Sequence, residues 1–81
     1  MTNLLETIRE AIDHAKPTRQ SKAAFHAQVL LHADQISSMD KNAVCASLGV
    51  PDSYRSEIAE MLALRRYLEE HGYSVIKRQS D

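Results

Sequence analysis

The sequence predicts a small all-α domain of four helices, and three observations carry the prediction. Apolar residues recur at spacings of three and four in four successive segments, which is the period of helices buried on one face. The two prolines and two glycines of the chain lie between or beyond those segments, where they begin or end helices. A hydrophobic fraction of 43% with 26% charged residues is ordinary for a folded protein. Since 81 residues suit one domain, we expect a single helical domain over residues 1–81.

The first predicted helix begins after Asn3 and ends near Ala15. Asn3 stands three residues before Glu6, which is the spacing of an N-cap with a reciprocating acid. The helix ends because the residue before Pro17 is forced away from helical geometry. One face is apolar along its whole length and consists of Leu4, Leu5, Ile8, Ala11, Ile12 and Ala15.

The second predicted helix runs from about Thr18 or Ser21 to Ile36. Its apolar face is wide, so we expect it to be the central helix, contacted on more than one side. The main stripe of that face consists of Phe25, Val29, His32, Ala33 and Ile36.

The last two predicted helices form a corner. Ser37–Ser38 offers an N-cap for a third helix over Met39–Leu48, and Gly49 stands where a left-handed residue ends a helix. Pro51 fits the first turn of a fourth helix that runs from about Asp52 to His71. Its inner stripe consists of Tyr54, Ile58, Met61, Leu62 and Leu68. Its predicted outer face is charged and consists mostly of Arg55, Glu57, Glu60, Arg65, Arg66, Glu69 and Glu70.

The segment after Gly72 is compatible with a short C-terminal strand. Tyr73–Lys77 is partly β-branched and alternates in polarity, although the chain offers no second strand to pair with it. Residues 78–81 are expected to be a frayed, disordered tail.

Composition and charge exclude several classes of function. Ten Lys and Arg against eleven Asp and Glu give a net charge of −1, so nothing attracts the whole chain to nucleic acid or anionic lipid. No stretch approaches the ~18 apolar residues of a membrane span, and the N-terminal acids are unlike a signal peptide. We therefore expect a cytoplasmic protein with no membrane partner.

Catalytic and metal chemistry find little support in the sequence. Cys45 is the only cysteine and lies on an apolar helix face, where a thiol is usually inert packing. None of the four histidines pairs with another at the spacing of metal ligands on a helix. Two glycines leave no phosphate-cradling loop. We expect no enzyme activity, no cofactor, no metal and no small-molecule substrate.

The predicted corner carries a recognisable pattern. Cys45 is a small residue four positions before Gly49, with the apolar Val44, Leu48 and Val50 around it. A small residue lets two helices cross closely, and the glycine turns the chain. This stretch resembles the helix-turn-helix DNA-binding superfamily, and the resemblance covers about Met39–Tyr73.

The resemblance implies a mode of DNA binding. In that superfamily the second helix of the corner lies in the major groove of DNA, with its first residues at the base edges. Carried over to this chain, Ser53, Arg55 and Ser56 face the bases, and Arg55 is the candidate to reach a guanine. The basic side chains that we expect near DNA phosphates are those of Lys16, Arg19, Lys22 and Lys41. The implied function is a small DNA-binding transcriptional regulator that acts as a dimer.

An alternative function follows from the outer face of the last helix. That helix carries more acids than arginines, which opposes phosphate binding, and it has a second apolar patch around Leu64. Exposed apolar patches of this kind typically mark protein interfaces. The predicted homodimer or partner surface consists of Leu64, Tyr67, Tyr73, Val75 and Ile76. In this alternative the chain is a non-enzymatic protein-interaction module, an adaptor or antagonist that binds a partner through this surface.

Overall fold

The computed structural model describes residues 3–76, and over that range the fold is all-α, as predicted. Five α-helices occur in the described range: α1 Leu4–Ala15, α2 Ser21–Leu31, α3 Ala33–Ile36, α4 Lys41–Leu48 and α5 Tyr54–Glu70. A 3₁₀ turn, Lys16–Thr18, joins α1 to α2. The fifth helix arises because the second predicted helix is divided into α2 and α3.

The bounds predicted for α1 are confirmed. The side-chain oxygen of Asn3 accepts a hydrogen bond from the backbone N–H of Glu6 at 2.9 Å, as an N-cap does. The helix ends at Ala15, and Pro17 lies inside the 3₁₀ turn that follows. Arg19 then adopts a left-handed conformation with φ of 60° and brings the chain round to α2.

The prediction of one unbroken helix to Ile36 was wrong. At His32 the backbone has φ of −110° and ψ of 27°, which ends α2 and starts the single turn of α3. The carbonyl oxygens of Leu30 and Leu31 instead accept hydrogen bonds from Nη1 of Arg65 on α5, at 2.5 and 3.4 Å. The guanidinium satisfies backbone groups that the end of a helix leaves without partners.

The N-cap predicted for the third helix was also wrong. Ser37 and Ser38 belong to the end of α3, where their hydroxyls donate to the backbone oxygens of Asp34 and Gln35. The N-cap of α4 is Asp40, whose side chain accepts a hydrogen bond from the backbone N–H of Asn42 at 3.1 Å. An aspartate suits this place because it both caps the helix and lies at the positive end of the helix dipole.

The corner between α4 and α5 is formed as predicted. Gly49 ends α4 with φ of 70°, and the N–H of Val50 donates to the carbonyl oxygen of Cys45 at 3.1 Å. This is the hydrogen bond of a left-handed helix end, which favours glycine. The N–H of Tyr54 then donates to the carbonyl oxygen of Pro51, and α5 begins at Tyr54, two residues later than predicted.

The core lies where the four longer helices meet. Helix α1 packs against α2 and α4, and α5 packs against α2 and α4. The buried apolar side chains are Ile8, Ile12, Phe25, Val29, Ala33, Ile36, Val44, Cys45, Leu48 and Ile58. Each large one contributes roughly 1.5–3 kcal/mol to the free energy of unfolding. The corner therefore rests on residues that α1 and α2 supply.

The predicted C-terminal strand is not present in the described residues. Tyr73–Ile76 have irregular backbone geometry. A lone strand would leave its backbone groups unpaired, and residues 3–76 contain no other strand to pair with it. Lys77 and the predicted tail, residues 78–81, lie outside the described residues.

Candidate nucleic-acid interface

A shallow groove of about 770 Å³ opens between the start of α4 and the start of α5. Its lining combines short polar side chains with charges of both signs, and consists of Met39, Asp40, Lys41, Asn42, Asp52, Ser53, Arg55 and Ser56. All three predicted base-reading residues and one predicted phosphate contact, Lys41, are in this set. The fold therefore brings these four residues into one place, and the side chains of Ser53, Arg55 and Ser56 are exposed there.

Arg55 is held along the groove by two hydrogen bonds. Its Nη1 donates to Oδ1 of Asn42 at 3.0 Å, across the corner from α4. Its Nε donates to the carbonyl oxygen of Asp52 at 3.1 Å. These bonds use two of the five N–H groups of a guanidinium. The side chain is thus fixed in direction and keeps donors to offer to a ligand.

The two serines differ in what they offer. The hydroxyl of Ser56 donates to the carbonyl oxygen of Ser53 at 3.1 Å, so its own oxygen is the atom left to accept. Ser53 immediately precedes α5, and its side chain makes no capping hydrogen bond to that helix. The pair therefore presents a hydroxyl acceptor and a hydroxyl of free orientation.

Two other predicted phosphate contacts lie on a different side of the start of α5. Lys16 and Lys22 border a small cleft beside the Gly49–Pro51 turn and Tyr54. Lys16 is paired, because its Nζ lies 3.0 Å from Oδ1 of Asp13. The hydrogen bond from Lys16 is the main cause that holds the pKa of Asp13 below its usual value. These lysines flank the helix that carries the predicted base-reading residues.

Arg19, the fourth predicted phosphate contact, borders neither the groove nor this cleft. It is exposed in the loop between α1 and α2. The structure thus separates the predicted phosphate contacts into Lys41 in the groove, two lysines at the flanking cleft, and Arg19 in the loop.

Lys22 is engaged by a residue that the sequence placed on the outer face of its helix. Oε1 of Glu57 lies 3.2 Å from Nζ of Lys22 and accepts a hydrogen bond from Nε2 of His26 at 2.8 Å. Nζ of Lys22 also lies 5.4 Å from the centre of the Tyr54 ring. The hydrogen bond from His26, with a smaller contribution from Lys22, lowers the pKa of Glu57. Glu57 therefore ties α5 to α2 as an ionised group.

The prediction that Arg65 lies on the charged outer face of α5 was wrong. Only 14% of the Arg65 side chain is exposed, because the guanidinium turns inward to the end of α2. Its Nε lies 3.4 Å from Oε1 of Glu69, an ion-pair distance. Helical spacing does not reveal this, since a long side chain on the inner face buries its stem and carries its charge to a distant partner.

The predicted partner surface is divided in two. Leu64 and Tyr67 are 39% and 55% exposed on α5, where the Tyr67 ring stacks on His71 with centroids 4.1 Å apart. Val75 and Ile76 instead border a cleft formed by α1 and α2, lined further by Thr7, Ala11, Gln28, Leu31 and His32. Tyr73 and Ile76 are 62% and 78% exposed, and Val75 is half-buried.

Cys45 has the surroundings of a packing residue. The thiol is fully buried in the core, and burial raises its pKa. Such a thiol is a weak nucleophile. Its small side chain lies in the core cluster, where α4 meets the other helices.

Residues 3–76 contain neither a clustered set of metal-binding side chains nor a membrane-spanning helix. Within that range, no group of three or more His, Cys, Asp or Glu side chains is arranged to hold a metal ion. No helix there combines the length and the apolar character that crossing a membrane requires.

Two residues of this candidate interface were not identified from the sequence. Asn42 positions Arg55 from thirteen residues away, and Glu57 engages Lys22 from the far side of the α2–α5 contact. Neither pairing leaves a mark in local spacing. The charge of Glu57 was visible, but its direction depends on how α5 packs against α2.

An arrangement of two helices joined by a glycine turn, with exposed polar residues at the start of the second, defines the helix-turn-helix class of fold. Residues 1–71 of the chain match the family model of the HTH-like domain, and the chain belongs to that family. The match confirms the resemblance to helix-turn-helix proteins. No significant match was found among curated proteins or among solved structures.

Proposed function

We propose that this chain is a small cytoplasmic DNA-binding regulator of transcription that reads double-stranded DNA with the start of α5. The observation that carries the proposal is the exposed set of Ser53, Arg55 and Ser56 in one groove with Lys41, in a chain of the HTH-like family. An arginine that is already held in direction is well suited to a two-bond contact with guanine.

The acids of α5 oppose this function less than their number suggests. Glu57 is engaged by His26 and Lys22, and Glu69 lies at ion-pair distance from Arg65. Neither carboxylate faces a DNA backbone uncompensated. The remaining attraction would come mainly from Lys41 beside the groove and from Arg19, because Lys16 and Lys22 are already paired with acids. Because this attraction comes from contacts of basic side chains with phosphates, binding should weaken steeply as salt rises.

The deciding experiment is a fluorescence-anisotropy titration of labelled random duplex, first at low salt and then at moderate salt. We expect binding at low salt that weakens steeply as salt rises. Absence of binding in both conditions would overturn the proposal. A sequence selected from the random pool then supplies the specific site for the variants.

Three variants test the role assigned to Arg55. Arg55→Ala should reduce affinity for the selected site by about 1–3 kcal/mol, the contribution of one two-bond base contact. Arg55→Lys keeps the charge but lacks the paired N–H donors of the guanidinium. It should therefore lose more of its preference for the selected site over random duplex than of its overall affinity. Arg66→Ala removes an equal charge from an exposed part of the same helix and is the matched control. Equal losses for Arg55→Ala and Arg66→Ala would contradict base reading by Arg55.

We also propose that the chain acts as a homodimer through Leu64 and Tyr67. Dimeric helix-turn-helix proteins place two reading helices on half-sites one turn of DNA apart. The support is the exposure of these two large apolar side chains on the half of α5 away from the groove. A small domain also gains apolar burial by pairing.

A second function is favoured by a specific observation. Of the predicted phosphate contacts, Lys16 and Lys22 are already paired with acids, while Leu64, Tyr67, Tyr73 and Ile76 are exposed. A protein-interaction module, an adaptor or antagonist, would have these properties. It would show no duplex binding even at low salt, so the titration distinguishes the two functions.

A further inference from the structure

Glu57, Lys22 and His26 form a cluster that DNA reading by Arg55 does not use. Lys22 has an exposed side chain, at 58%, yet its charge lies 3.2 Å from the largely covered carboxylate of Glu57. His26 donates to the same oxygen of that carboxylate at 2.8 Å. One carboxylate oxygen thus receives two donors from α2, and only one of the two donors faces solvent freely.

The place of this cluster gives it a possible effect on an anionic ligand. Glu57 is two residues after Arg55 on α5, and Lys22 borders the cleft beside the turn that leads into α5. An oxygen of a DNA phosphate is a charged acceptor like a carboxylate oxygen, and a lysine ammonium binds either. A phosphate that approaches Lys22 therefore meets an ammonium whose charge Glu57 partly neutralises, and the negative carboxylate beside it repels the phosphate.

We propose that Glu57 is an internal competitor for Lys22, so that a DNA phosphate must replace this carboxylate before Lys22 can contribute to binding. Glu57 thereby lowers the affinity of the domain for duplex DNA below the value that its lysine and arginine side chains would otherwise give. The inference rests on the proposed DNA-binding function and specifies how that site is regulated.

The test measures random-duplex affinity against salt for the full chain and four variants. Glu57→Gln keeps the size of the side chain and removes the competing charge, and Glu60→Gln removes an equal charge from an exposed residue one turn further along α5. Lys22→Ala and the double variant Lys22→Ala with Glu57→Gln complete a cycle. Thermal unfolding followed by circular dichroism verifies that each variant is folded.

We expect Glu57→Gln to bind more tightly than wild type and to steepen the slope of log affinity against log salt by about 0.9, the value of one added phosphate contact. Glu60→Gln should change the slope little. Lys22→Ala should have a small effect in wild type and should abolish the gain in the Glu57→Gln background. A simple tie between α2 and α5 would change stability without this dependence on Lys22.

Each other outcome overturns the inference, and the outcomes are distinguishable from failure of DNA binding itself. If wild type binds in an Arg55-dependent way but Glu57→Gln and Glu60→Gln behave alike, only the competition is wrong. The same holds if the gain persists without Lys22. If neither wild type nor Glu57→Gln binds duplex at low salt, both proposals are wrong. Should Glu57→Gln unfold, Lys22→Ala in the wild-type background still decides, because a salt slope shallower than that of wild type by about 0.9 would mean that Lys22 already contacts a phosphate in wild type.

Discussion

Nη1 of Arg65 on α5 donates a hydrogen bond to the carbonyl oxygen of Leu30 in the last turn of α2, at a distance of 2.5 Å. The same nitrogen lies 3.4 Å from the carbonyl oxygen of Leu31. A cation at the C-terminus of a helix also meets the negative end of the helix dipole. This one side chain therefore supplies donors to the end of α2 and links that end to α5.

Replacing Arg65 should be among the most damaging changes outside the apolar core. Arg65→Ala leaves two carbonyl groups of α2 without their donor, and we expect a loss of about 2 kcal/mol in the free energy of unfolding. Urea denaturation followed by circular dichroism measures it. The neighbouring Arg66→Ala, at an exposed position, should change stability by less than about 0.5 kcal/mol. Similar small losses for both would mean that the contact with Leu30 contributes little.

Gly49 should tolerate added volume but not a changed backbone preference. A Cβ at this position would lie 3.6 Å from Nη2 of Arg9, an ordinary contact. The φ of 70° is the disfavoured quantity, so Gly49→Ala should destabilise the fold by about 1 kcal/mol. Gly49→Asn should lose less, since asparagine accepts this conformation more readily. Equal losses for alanine and asparagine would point to the contact with Arg9 instead.

Cys45 should accept a smaller side chain better than a larger one. It is fully buried where α4 joins the core. Cys45→Leu overfills that space and should reduce the free energy of unfolding by about 1–3 kcal/mol. Cys45→Ala should be milder, and differential scanning calorimetry of the two variants gives the comparison. A leucine variant as stable as the alanine variant would contradict close helix crossing at this point.

Acid should weaken the fold through Glu57. The pKa of Glu57 in the folded protein lies below its ordinary value of 4.5. A carboxyl group of this kind stabilises the fold above its unfolded pKa, and the stabilisation is lost as pH falls through the folded pKa. The loss of stability between neutral pH and acid should therefore be smaller in Glu57→Gln than in wild type. Urea midpoints measured across this range test it, with Glu60→Gln as the control for removal of one charge.

The proposed dimer should depend on α5 and not on the C-terminal segment. Leu64→Asp places a charge in the proposed interface and should raise the dimer dissociation constant by at least about tenfold. Ile76→Asp adds the same charge at the separate cleft beside α1 and α2 and should leave the dimer intact. Sedimentation equilibrium measures both. A wild-type chain that is monomeric at every concentration would contradict the dimer. Weaker dimerisation in Ile76→Asp alone would mean that the interface lies at the cleft beside α1 and α2.

Features that depend on neighbouring residues could be predicted from the sequence. The cap at Asn3, the end of α1 at Ala15 and the left-handed Gly49 each involve residues within a few positions of one another. The burial of Cys45 followed from helical spacing and from the family pattern together. The proximity of Ser53, Arg55 and Ser56 followed from the same corner, because these residues lie within one turn at the start of α5. The groove that they line was not predicted.

Features that depend on distant side chains could not be predicted. The interruption at His32 is accompanied by hydrogen bonds to Arg65, which is more than thirty residues further along the chain. The same separation divides Lys22 from Glu57. For Arg65 and for Glu57, the charge is visible in the sequence, but the partner of that charge depends on how α5 packs against α2. Helical periodicity assigns a residue to a face, but it does not say where a long side chain delivers its charge.

The dependence of the corner on the first two helices limits how this domain can be reused. Most of the buried core comes from α1, α2 and α3, including Ile8, Phe25 and Val29. Arg9 of α1 also places its guanidinium against Gly49 and within 3.5 Å of the carbonyl oxygen of Ser47. The α4–α5 unit is therefore not expected to keep its structure when it is grafted alone onto another scaffold. It would lack the surface of α1 and α2 against which the two helices are oriented.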